Sequence, residues 1–76
     1  MRPLKNKLIL TFPTTVAAMA MEKAAAETGT PGRLIPTPTV ISAGCGMCWC
    51  AEPEQETACI ILVRERQLCY EGIFHL

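Results

Sequence analysis

Prolines and glycines cut this chain into pieces too short for any extended helical or strand-only architecture. Pro13, Gly29 with Pro31, Pro36, Pro38, Pro53 and Gly72 punctuate its 76 residues. Proline removes a backbone donor and fixes φ, and glycine ends helices readily, so each marks a boundary. Leu8 to Phe12 is a run of strand formers closed by Pro13, which predicts a first strand. Thr14 or Thr15 can cap a helix over Val16 to Thr28, and Gly29 with Pro31 stops it. Ala18, Met21, Glu22 and Ala25 fall on one stripe of that helix, with Glu22 snorkelling or turned out.

Arg33-Leu34-Ile35 reads as a second strand ended by Pro36. Gly46 to Ala51 alternates, so Met47, Trp49 and Ala51 share the core face of a third strand, and Cys48 and Cys50 share the other. Pro53 suits the first turn of a second helix, with Glu54 and Glu56 at its positive end. Ala58, Ile61, Leu62 and Glu65 are expected to form its stripe, with Cys59 beside it and Arg64 and Arg66 at the C-terminal end. Leu68 to Phe74 is expected as the last strand, with its buried face undecided. The order β-α-β-β-α-β predicts an α+β, ferredoxin-like sandwich: a four-stranded antiparallel sheet with two helices on one face and the other face open. Residues 1–76 read as one domain, of which residues 1–7 are a flexible start.

Half of the residues are hydrophobic, enough for one small core. Seven Lys and Arg balance seven Asp and Glu, which gives no electrostatic reason to expect nucleic acid or an anionic membrane as partner. Arg2, Lys5 and Lys7 precede Leu8–Phe12, but that apolar run is too short for a secretory signal, and no stretch reaches transmembrane length. Five cysteines in a chain with ordinary helix and strand patterns point to thiols in a reducing cytoplasm.

Three of those cysteines crowd into Pro36 to Cys50. Cys45 stands between Gly44 and Gly46, residues that permit φ > 0 and close approach of another backbone. An exposed thiolate there suits attack on a sulfane donor, storage as a persulfide and release to an acceptor. Pro36 and Pro38 shape the approach to the loop. Cys45 and Cys48 also form a C-x-x-C pair. Thiol oxidoreductases place that motif at a helix start, whereas a strand is expected here; Cys48 is instead a candidate resolving thiol for Cys45. A rival reading binds zinc or copper through Cys45, Cys48 and Cys50, with His75 or Cys69 as fourth ligand. A third makes the chain a pure interaction domain. Cys59 and Cys69 are expected to pack as small hydrophobes, and His75 to be solvated.

Thr11-Phe12-Pro13-Thr14, Arg33-Leu34-Ile35-Pro36-Thr37-Pro38, Ile41-Ser42 leading to Cys45-Gly46, and Tyr70-Glu71-Gly72-Ile73 together resemble a selenium/sulfur carrier-like family of small bacterial proteins. The resemblance spans Leu8 to Phe74 and implies a ferredoxin-like domain whose Cys45 carries sulfur or selenium. The family usually has a basic residue where this chain has Thr39, and Cys48 and Cys50 are additions to its pattern. The expectation is thus a cytoplasmic carrier without turnover of its own and without a cofactor. Its partners would be a donor such as a cysteine desulfurase and an acceptor protein, with a homodimer through a sheet edge or the open face also envisaged.

Overall fold

A computed structural model describes residues 7–38, 40–41 and 46–76. Every residue of strand β1 (Leu8–Thr11) is buried, and the reason is its position. It pairs antiparallel with β3 (Met47–Ala51) on one side and β4 (Gly72–His75) on the other. β3 in turn pairs antiparallel with β2 (Arg33–Pro36), giving the order β2-β3-β1-β4. Each β-α-β unit therefore straddles a strand of the other. The architecture is α+β, one four-stranded antiparallel sheet with two helices.

Helix α1 (Thr15–Thr28) begins where Thr14, in extended geometry, accepts the Ala17 N–H on its Oγ1 at 3.1 Å. It ends at Gly29, whose φ of 72° is left-handed and whose N–H reaches the Ala25 carbonyl. Its buried face is Ala17, Ala18, Met21, Ala24 and Ala25, and Glu22 points to solvent as expected. Small side chains let the helix lie low on the sheet, over Trp49 and Leu10.

Pro53 does not open the second helix directly. Pro53–Gln55 forms a 3₁₀ turn, and helix α2 runs Glu56–Glu65. Its buried residues are Cys59, Leu62 and Val63, whereas Ala58 and Ile61 face outward. The expected stripe is thus rotated toward its Cys59 flank: Leu62 and Cys59 are buried, Ala58 and Ile61 are not. Leu68 and Tyr70 lie before β4 rather than in it: the Leu68 N–H closes the end of α2 on the Val63 carbonyl, and Gln67 takes a φ of 52°. The last strand starts only at Gly72.

Both helices pack on one face, against Leu8, Leu10, Trp49 and Ala51, with Leu34, Met47 and Ile73 alongside. The alternation of β3 is as the sequence predicted: Met47, Trp49 and Ala51 toward the helices, Cys48 and Cys50 away. The far face, however, is not open at its centre. Ile9, Cys48, Cys50 and Ile41 are buried together there, with Ile35 and Leu76 packed against them. Lys7 is part of the ladder, exchanging hydrogen bonds with Leu76, so the frayed start does not extend to it.

Candidate functional site: the β2–β3 hairpin and its cysteines

The hairpin that carries the cysteine-rich stretch closes on a definite neck. Pro36 pairs with Met47, and beyond that pair the Thr37 N–H donates to the Gly46 carbonyl at 2.9 Å. Gly46 holds φ at 75°, yet a β-carbon there would meet nothing within 4 Å. Backbone conformation, not crowding, therefore demands glycine at this point. On the other limb the Ile41 N–H returns to the Pro38 carbonyl at 3.0 Å, a tight turn that brings Ile41 down onto the far-face cluster. Gly44 and Cys45 lie outside the described residues.

Cys48 and Cys50 emerge from the neck on one face of β3. Cys48 is fully buried, opposite Ile35 on β2 and Thr11 on β1. Cys50 stands opposite Arg33 and Ile9. Burial pushes the Cys50 thiol up from its ordinary pKa, while the positive charges of Lys7 and Arg33 pull partly the other way. Lys7 is paired with Glu52 at the far end of β3. From the sequence alone Arg33 is either a solvated strand charge or a positive group near the loop, and Lys7 part of a flexible start. The β2–β3 register brings Arg33 toward the Cys50 thiol, and the β1–β3 register brings Lys7.

The remaining candidates are dispersed. Cys59 is buried in the main core, as expected, and burial raises its pKa, offset in part by the indole N–H of Trp49 nearby. That N–H makes no well-formed hydrogen bond; a thiol is a weak acceptor. Cys69 is exposed rather than packed, because it sits in the α2–β4 connection outside the strand. His75 is exposed and hydrogen-bonds through Nε2 to Glu56 at 2.7 Å. Among the described residues no cluster of three His, Cys, Asp or Glu side chains could hold a metal ion. The Thr37 hydroxyl, at the neck, is buried and has no hydrogen-bond partner among the described residues.

Met47 and Cys48 belong to strand β3, so Cys48 does not lie in the first turn of a helix, the setting of the motif in dithiol oxidoreductases. Among the described residues no helix is long and apolar enough to cross a membrane. No curated protein and no solved structure matches the chain. Residues 7–75, nearly the whole length, match the family model described as "Putative Se/S carrier protein-like", and the chain belongs to that family.

Proposed function

We propose that this protein carries sulfur or selenium on Cys45, in a ferredoxin-like βαββαβ domain that acts in the cytoplasm. Membership of the carrier family over residues 7–75 is the observation that carries the reading. The strand order β2-β3-β1-β4 with all neighbours antiparallel supports the fold. The neck at Thr37 and Gly46 supports the site, because it anchors the segment that holds the thiol to two paired strands.

The chemistry is redox-neutral on loading. The Cys45 thiolate attacks the outer sulfur of a persulfide on a donor such as a cysteine desulfurase. The donor S–S bond breaks, the donor leaves as a thiolate, and Cys45 becomes the persulfide. An acceptor nucleophile then takes the outer atom and returns Cys45 to thiolate. In a second exit Cys48 attacks the inner sulfur and expels hydrosulfide. The sulfane sulfur is reduced to sulfide while the two cysteines are oxidised to a disulfide. Full burial of Cys48 shields it from outside thiols, so the role proposed for it is an intramolecular one. With no net charge at neutral pH, docking of donor and acceptor rests on local shape rather than long-range steering.

The test incubates reduced protein with a desulfurase and cysteine and weighs it intact. One added sulfur on the wild type and none on Cys45→Ser is expected. No addition to wild type, or equal addition to Cys45→Ser, overturns the proposal. Elemental analysis after purification without chelator addresses the rival built on Cys45, Cys48 and Cys50, since stoichiometric zinc or copper favours a metal-handling module.

A further inference from the structure

The sheet ends in two edges of unequal character. β2 is guarded at the edge by Arg33 and by Pro36, which offers no N–H. β4, with the sequence Gly-Ile-Phe-His, carries neither lysine nor proline. Lys7 and Leu76 exchange both backbone hydrogen bonds, at 2.8 and 2.9 Å. Antiparallel ladders alternate bonded and non-bonded pairs, so Phe74, two residues along and opposite Ile9, also turns its N–H and C=O toward β1. Ile73 and His75 therefore direct theirs outward, along an edge that no described strand pairs with.

We propose that two copies of this chain pair antiparallel along β4, joining their sheets across a two-fold axis at Phe74. In that register Ile73 of each copy exchanges both hydrogen bonds with His75 of the other. Phe74 then meets its own mate in the close, non-bonded pair, where aromatic neighbours contribute most. Phe74 is 39% exposed, the largest apolar group on this edge left to solvent. On the same face Leu76 falls beside Gly72 of the second copy. The Phe74 ring leans over Gly72, 3.1 Å from where a β-carbon would be, so Leu76 of the mate meets that ring rather than an empty site. The arrangement is self-complementary: Leu76 meets the Phe74 ring at both ends and aromatic meets aromatic at the centre. Zero net charge adds no repulsion between copies.

So short a seam makes a weak dimer, with a dissociation constant on the order of 10–100 μM. Sedimentation velocity of the reduced full chain over a range of concentrations reads it directly. His75→Pro deletes an outward N–H while sparing the β1 ladder, and is expected to weaken association about tenfold or more. His75→Ala keeps that N–H and should leave the constant within about threefold. Phe74→Lys places a charge on the two-fold axis and should also abolish the dimer, which covers the case in which the proline variant fails to fold; circular dichroism reports on folding in each. A monomer up to about 1 mM overturns the proposal. So does a dimer indifferent to both His75→Pro and Phe74→Lys but lost in Met19→Lys, which would place the contact on the exposed Val16 and Met19 of α1. Cys45→Ser should dimerise like the wild type, so failure of sulfur loading and failure of pairing are separable.

Discussion

Gly32 lies against the indole edge of Trp49: a β-carbon on Gly32 would collide with Trp49 Nε1 and stand 2.6 Å from Cε2. Gly32 also holds φ at 134°, a conformation that suits glycine alone. Gly32→Ala is therefore expected to cost about 2–4 kcal/mol, from overpacking and backbone strain together. Urea unfolding followed by fluorescence measures it, and Trp49, the sole tryptophan, reports from the contact itself. A loss below about 0.5 kcal/mol would show that β2 simply moves aside.

Thr14 holds the start of α1 through one side-chain oxygen. Thr14→Ala leaves the Ala17 N–H without that acceptor, and a loss of about 1 kcal/mol is expected. Thr14→Asp restores an acceptor and should recover most of it. Equal stability of the two variants would show that the cap contributes nothing.

The described cysteines should separate by reactivity. Cys69 is exposed and should alkylate at the rate of a free thiol, whereas Cys48, Cys50 and Cys59 are buried. Under native conditions the buried three are expected to react roughly 100-fold more slowly or less, gated by opening of the fold. Peptide mass spectrometry resolves each site. Rapid labelling of Cys59 would mean that the main core opens far more often than its packing implies.

Stability should fall at both ends of the pH scale, for opposite reasons. Arg66, hydrogen-bonded to Glu27 at 2.7 Å, holds the Glu27 carboxyl below its ordinary pKa. That contribution is present above the unfolded-state value and is lost as pH falls through the folded-state one. Burial pushes the Cys59 thiol up, so above the unfolded-state value the unfolded chain sheds a proton that the folded chain keeps, and stability declines. Urea midpoints across pH should show Glu27→Gln flattening the acid limb, an effect reduced by salt, and Cys59→Ala flattening the alkaline one. Unchanged limbs in these variants would assign the slopes to other groups.

Features set by near neighbours were readable from the sequence. The Thr14 cap, the left-handed Gly29 and the two faces of β3 each depend on residues only a few positions away. The facing of α2 was not readable, since Ile60-Ile61-Leu62-Val63 supplies apolar residues to every direction and only contact with the sheet selects Leu62 and Val63. Nor was the covering of the far face, where Ile41, distant in sequence from β1, is buried in one cluster with Ile9, Cys48 and Cys50. Lys7 looked like a loose end because its partner, Leu76, comes from the opposite end of the sequence. At the site, the need for glycine at position 46 was legible in the Gly-Cys-Gly triplet. The deep burial of Cys48 was not, because it comes from the same unforeseen covering.

The hydrogen bond from Thr37 to Gly46 has a wider consequence. It closes the hairpin below the cysteine-rich stretch, yet Ile41 from that stretch is built into the far-face core. Neighbouring positions therefore carry unequal burdens: a change at solvent-facing Val40 leaves the platform untouched, whereas one at Ile41 is transmitted to β1 and β3. Any graft between Thr37 and Gly46 would have to bring its own plug for that cavity.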